Sequence, residues 1–335
     1  MKLLKLLFTF SLIVTLFPSH AQKNQGLVNW ITIEEAEKKA KAKPKPIMVD
    51  VYTDWCGWCK KMMNTTFSDP QVAEYINKNF YAVAFNAETK DTITWQGKTY
   101  TNKEKGPRGT HELTYHFLPE KRSYPSTVFM TGDMKNSTLV PGYLDANTIS
   151  PILVYYQENL LGKANINDFM AYFDSTFSED KKPLLQKEVK WYSIQEAFEL
   201  NSKHPKKIFI HLQNKESISS QVMDSTSYTH PVIADYLNKN FYPVRFDAES
   251  KETVNILGHT LEKKGKYHQL VSVGMNNKIS FPSILLFNEQ NELITPIPQY
   301  LTPKFMEQVL YFFKEDVYLK NSFADFQKNF QGSIH

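Results

Sequence analysis

The chain has 335 residues, 39 Lys and Arg against 35 Asp and Glu, 41% hydrophobic and 14% aromatic residues, and two cysteines. That length fits about two globular domains, the apolar content excludes a disordered chain, and a net charge of +4 without a basic tract argues against a nucleic-acid reader. Two thiols neither staple a fold of this size nor supply a four-thiolate zinc site, so no metal is expected and the cysteines act as one pair.

Residues 1–21 read as a secretory signal. Lys2 and Lys5 form a positive start, Leu6 to Phe17 is apolar, and Ser19-His20-Ala21 supplies small residues for cleavage. The apolar run is short of the roughly 20 residues a membrane helix needs. The expected product is therefore a periplasmic or secreted protein with no membrane span after cleavage, the alternative being an anchor formed by the uncleaved signal. Outside the cytosol a disulfide persists.

Thr32-Ile33-Glu34-Glu35 is a capping box opening an amphipathic helix, which Pro44 and Pro46 stop. Ile47 to Tyr52 is a short β-prone run, followed by the cysteines and a helix through Met62 and Met63. Asp69-Pro70 opens a helix to about Lys78, and Tyr81 to Phe85 is a second strand. The order β, α, β predicts a parallel pair. Asp91 to Gly106, polar and centred on Gly97, reads as a hairpin-like insertion, and a short helix is expected over Glu112 to Phe117. Ser126 to Met130 reads as a strand, Ser137 to Pro141 as an edge strand, and Asn147 to Gln157 as a closing helix.

The chain then repeats itself. A shift of 161 positions lays Val28-Asn29-Trp30 on Val189-Lys190-Trp191 and Asn77-Lys78-Asn79-Phe80-Tyr81 on Asn238-Lys239-Asn240-Phe241-Tyr242. A shift of 157 lays Tyr124-Pro125-Ser126 on Phe281-Pro282-Ser283 and Asp168-Phe169 on Asp325-Phe326. The period is far longer than a solenoid unit, so it marks a duplicated domain. The expected organisation is 22–174, a charged linker over 175–188 containing Pro183, and 189–335, which closes in a helix near Phe323 to Phe330.

Cysteines separated by two residues at a helix start can close a small ring. The helix N–H groups and dipole there favour the outer thiolate, so Cys56 is expected to attack and Cys59 to resolve. The run Val49-Asp50-Val51-Tyr52-Thr53-Asp54-Trp55-Cys56-Gly57-Trp58-Cys59-Lys60-Lys61 closely resembles the active-site segment of the thioredoxin-like superfamily, and Tyr124-Pro125-Ser126 resembles that family's turn with a cis proline. The run Trp55-Cys56-Gly57-Trp58-Cys59-Lys60-Lys61-Met62 resembles that of exported thioredoxin-like domains related to the C-terminal domain of bacterial thiol:disulfide interchange proteins.

The resemblance implies an α/β fold of two tandem thioredoxin-like domains, each a mixed sheet flanked by helices. It implies no cofactor beyond a redox-active Cys56–Cys59 disulfide. Asp50, six residues before Cys56, would be the proton acceptor for Cys59 with its pKa raised by burial, or else a strand residue without a catalytic role. Trp55, Gly57 and Trp58, with Tyr124 and Pro125, would form the surface on which client backbone lies. Trp58 stands where thioredoxin has proline and disulfide isomerases have histidine. Without that histidine a reductant or exchange protein is expected rather than a strong oxidant; Lys60 and Lys61 either compensate in part or are simply solvated helix lysines.

In the second copy Ser217 and Ser220 take the cysteine positions, His211 that of Asp50 and Glu216 that of Trp55, so the chemistry is absent there. That copy either binds clients or serves as a scaffold. Ser217 with His211 lacks the elbow of a serine hydrolase. His111-Glu112 lacks the second histidine of a zinc-protease motif, and since His111 matches His268 a structural helix role is expected. The function expected is an exported thiol:disulfide oxidoreductase acting on protein disulfide or thiol clients, with an unidentified electron donor or thiol partner and no nucleic acid. The alternative is a non-catalytic tandem binding module with a structural disulfide.

Overall fold

A computed structural model describes residues 26–119, 122–177 and 187–334. The expected signal at 1–21 and most of the expected linker lie outside the described residues.

The first unit runs α1 (Ile33–Ala42), β1 (Ile47–Tyr52), α2 (Gly57–Asn64), α3 (Pro70–Asn79), β2 (Tyr81–Asn86), β3 (Ile93–Trp95), β4 (Lys98–Tyr100), α4 (Glu112–Phe117), β5 (Ser126–Met130), β6 (Ser137–Pro141), α5 (Ala146–Gln157) and α6 (Ile166–Phe177). Its sheet has the order β2-β1-β5-β6, with β1 parallel to β2 and antiparallel to β5. β1 is central and its apolar residues are buried on both faces, as a strand covered by helices on each side requires. One face packs on α1, β3 and α4 through Ile33, Trp95 and Leu113, and the other on α2, α3 and α5 through Met62, Ile76 and Ile149.

The second unit repeats the plan: α7 (Ile194–Lys203), β7 (Ile208–Gln213), α8 (Ile218–Thr226), α9 (Pro231–Asn240), β8 (Tyr242–Asp247), β9 (Val254–Ile256), β10 (His259–Leu261), β11 (Lys263–Lys264), β12 (Tyr267–His268), α10 (Gln269–Gly274), β13 (Ser283–Phe287), β14 (Leu293–Ile297), α11 (Pro303–Lys314) and α12 (Phe323–Asn329). Its four-stranded sheet, β14-β13-β7-β8, has the same order as the first counted from the opposite edge, and β7 again pairs parallel with β8 and antiparallel with β13. Each unit is thus a mixed sheet flanked by helices, the thioredoxin-like architecture. Among the described residues no helix is long and apolar enough to cross a membrane.

Three local expectations change. At the first helix only half of the capping box forms: Thr32 Oγ1 accepts from the Glu35 amide at 3.2 Å, but the Glu35 carboxylate pairs with Lys39 at 3.0 Å. The second is reciprocal, Ser193 with Glu196. The stretch read as an insertion is a hairpin common to both units. Gln96 and Gly97 turn it with positive φ, as a two-residue loop between twisted strands demands, and it delivers Trp95 into the core with no exposed surface. Finally, α6 runs through Ser175 to Phe177, so the start of the expected linker is helical. Phe169, Phe173 and Phe177 recur every fourth residue on that helix, and Phe169 is buried against Tyr300 of the second unit, ring centroids 5.4 Å apart.

Candidate active site

Cys56 is the N-cap of α2, with extended backbone. Its Sγ accepts a hydrogen bond from the Cys59 amide at 3.0 Å, and the two cysteines are joined in a disulfide with Cα atoms 5.3 Å apart. α2 forms here because β1 ends at Tyr52, Thr53 to Cys56 turns the chain (Cys56 N–H to Thr53 O, 3.1 Å), and Gly57 starts the helix with open space around its Cα. Both sulfur-bearing residues are nearly covered, Cys56 being 4% exposed. The indoles beside them are not: Trp55 is 51% and Trp58 57% exposed.

Trp55 donates its Nε1 proton to Glu88 Oε1 at 2.8 Å, meets Tyr124 edge-on at 6.2 Å, and lies under the Arg108 guanidinium at 5.3 Å. Trp58 leans on Tyr143 at 5.4 Å, and Lys61 Nζ sits over both rings, 4.8 Å from Trp58 and 5.1 Å from Tyr143. Two aromatic walls, each capped by a cation, therefore flank the disulfide. The Tyr124–Pro125 peptide is cis, and Pro125 O accepts from Gly142 N at 2.9 Å. Trp55 thus packs with Tyr124 and Trp58 with Tyr143, while Pro125 is tied to Gly142, the residue before Tyr143.

Asp50 lies on β1 between Ala84 of β2 and Thr127 of β5. It is 1% exposed, and its Oδ1 has no hydrogen-bond partner. Burial pushes its pKa up to about 7. A carboxyl inside a central strand, without a compensating cation, exchanges its proton near neutrality instead of near 4.

In the second unit Ser217 caps α8 as Cys56 caps α2, its Oγ accepting from the Ser220 amide at 3.1 Å. His211, at the Asp50 position, lies with Nε2 3.4 Å from Asp224, which also pairs with Arg245 at 3.2 Å. Arg245 covers Trp191 at 4.4 Å. The Phe281–Pro282 peptide is cis. His111 and His268 are both buried N-caps, their Nδ1 atoms accepting from Leu113 N at 3.2 Å and Leu270 N at 3.1 Å, which is the structural helix role expected of them.

Sequence reasoning did not single out Tyr143, Arg108 or Glu88. None sits in the cysteine segment, and only the packing of β6's end, the 101–110 loop and β2's end around α2 brings them together.

A thioredoxin-like domain model matches residues 33–157, and a model described as a protein of unknown function, DUF255, matches residues 175–266. The thiol:disulfide interchange protein DsbD of Citrobacter koseri is 32% identical over 111 residues, 33% of this chain and 16% of that protein. DsbD of Escherichia coli K12 is 28% identical over 138 residues, 39% of this chain and 21% of that protein. The chain thus spans about a fifth or less of the length of these relatives. Among solved structures, a putative disulphide-isomerase from Bacteroides thetaiotaomicron is 23% identical, with 43% of this chain and 98% of that chain covered and a TM-score of 0.28.

Proposed function

We propose, from the premise that this chain is a tandem protein of the thioredoxin-like superfamily, that it is an exported thiol:disulfide oxidoreductase of the reductase or exchange type. The observation that carries the reading is the Cys56–Cys59 disulfide at the start of α2, held between two exposed indoles and following a strand that buries Asp50.

In the reduced protein the Cys56 thiolate, stabilised by the Cys59 amide and the helix start, attacks one sulfur of a client disulfide. The Sγ–S bond forms and the client's other sulfur leaves as a thiolate. Asp50 then takes the proton of Cys59, directly or through water, and Cys59 attacks Cys56 Sγ. This closes the intramolecular disulfide and expels the second client thiolate, which collects a proton from solvent. An external dithiol donor returns two electrons to the pair. Trp55, Gly57 and Trp58 with Tyr124 and Pro125 form the client surface, and the second unit takes no part in the chemistry because Ser217 and Ser220 cannot exchange electrons.

Cys59→Ser is expected to accumulate mixed disulfides with clients, recovered by diagonal electrophoresis, and Cys56→Ser to abolish insulin-disulfide reduction. Equal insulin reduction by the unsubstituted chain and Cys56→Ser would overturn the reading. A pair with a potential well below about −300 mV and no trapped clients would instead favour the tandem binding module with a structural disulfide.

A further inference from the structure

The start of α8 keeps the capping geometry of the cysteine site, yet what stands in front of it is different. Glu158, at the end of α5 in the first unit, lays its carboxylate against this turn. Oε1 accepts from Ile218 N at 2.7 Å; Oε2 accepts from Ser219 N at 3.1 Å and Ser217 Oγ at 2.8 Å, and from the Ser219 hydroxyl. Two backbone donors, two hydroxyls and the positive end of a helix dipole meet one carboxylate. Burial holds the Glu158 carboxyl above its usual range, and these four donors offset that only in part.

The substitutions between the copies are those such a contact needs. Cysteine is a weak hydrogen-bond donor and serine a good one; Ser217 stands at the Cys56 position. Ser219 stands at the position of Trp58, so the bulky indole that flanks the first site is absent where Glu158 enters. Around the contact a cleft of about 640 Å³ is bounded by Tyr75 and Lys78 of α3 and by Ile218, Ile279 and Phe281 of the second unit. Phe281 precedes the cis proline, so this cleft is the counterpart of the groove that Tyr124 and Pro125 form. Beyond it α6 crosses to α8, where Thr176 and Ser225 hydroxyls meet at 2.8 Å.

We propose that the second unit's former client face has become an intramolecular docking surface reserved for the first unit, with Glu158 as the positioning residue seated on the vacated cysteine site. The second unit is then a scaffold that receives no client at that face, and it holds the first unit with the Cys56 surface turned to solvent. This does not depend on whether Cys56 and Cys59 turn over.

A single thiol reports the contact. In a chain carrying Cys56→Ser and Cys59→Ser, Ser217→Cys places one thiol beside Glu158. A neighbouring carboxylate covers it and disfavours its thiolate, so iodoacetamide is expected to modify it at least about tenfold more slowly than in the same chain with Glu158→Ala. Equal rates overturn the proposal. The chain with its native serines gives a second reading. The Ile218 and Ser219 amides are expected to exchange hydrogen at least about tenfold faster in Glu158→Gln, while amides of β7 keep their rates. Unchanged exchange at Ile218 and Ser219 also overturns it, as does a photo-cross-linker at Ile279 that captures an unfolded, cysteine-free peptide from solution.

Discussion

Asp50 is the residue through which the proposed exchange would depend on pH. Its carboxyl titrates near 7 instead of near 3.8 because burial disfavours the anion. The folded protein therefore holds a proton that the unfolded chain has lost between those values. Stability from this group is full below about pH 4, falls as pH rises toward 7, and is constant above, a loss on the order of 4 kcal/mol. Asp50→Asn is expected to remove this slope, read by urea unfolding at pH 5 and pH 8, and to be the more stable form at pH 8. It is also expected to flatten the rise of insulin-reduction rate through pH 7, because it removes the base proposed for Cys59; an unaltered rate profile would reject Asp50 as that base. Trp58→Ala tests the proposed client surface. Its ring is 57% exposed, so stability is expected to shift by no more than about 0.5 kcal/mol, while exchange with a protein disulfide slows more than exchange with oxidised glutathione. At this scale the Cys56–Cys59 disulfide and the strand that buries Asp50 were legible because they share one segment of sequence. Tyr143, Arg108 and Glu158 were invisible for the opposite reason: each acts on residues that only the folded chain brings near.

Among the elements, the β3–β4 hairpin is where composition misled. Threonines and charges on its outer side make Asp91 to Gly106 look like a surface insertion, yet alternation along β3 sends Ile93 and Trp95 inward. Trp95→Ala is expected to cost about 3–5 kcal/mol, measurable as a lowered denaturation midpoint. A loss below about 1 kcal/mol would mean the hairpin is the appendage its composition implies. The other elements were legible for local reasons. Asp69 accepts from Gln71 N and Val72 N with Pro70 in the first turn of α3, and such start signals lie within four residues of sequence. The extension of α6 was not legible in that way, because a polar Asp-Ser-Thr stretch before a charged segment reads as the end of order. What keeps it helical is the second unit beneath it.

Across the whole molecule the two units are one packing problem. Val154, Tyr155, Leu160 and Phe169 of the first belong to the same buried cluster as Phe209, Met223, Tyr300 and Leu310 of the second. Calorimetry of the intact chain is therefore expected to show coupled unfolding. Phe169→Ala, removing about 3–5 kcal/mol of packing, is expected to split it into two transitions; two independent transitions in the unsubstituted chain would contradict the shared cluster. The contact is also asymmetric, the end of α5 in one copy meeting the start of α8 in the next. A contact of that kind is not self-complementary, and repeated it builds a ring or an open array instead of a closed pair. The second copy even carries Glu315 at the position of Glu158, exposed and beside Lys314 at 3.9 Å. Its would-be acceptor, the start of α2, offers an indole where the seat needs the Ser219 hydroxyl. A further copy would find no such seat there, because Trp58, one of the two residues between the cysteines, stands where Ser219 donates to Glu158.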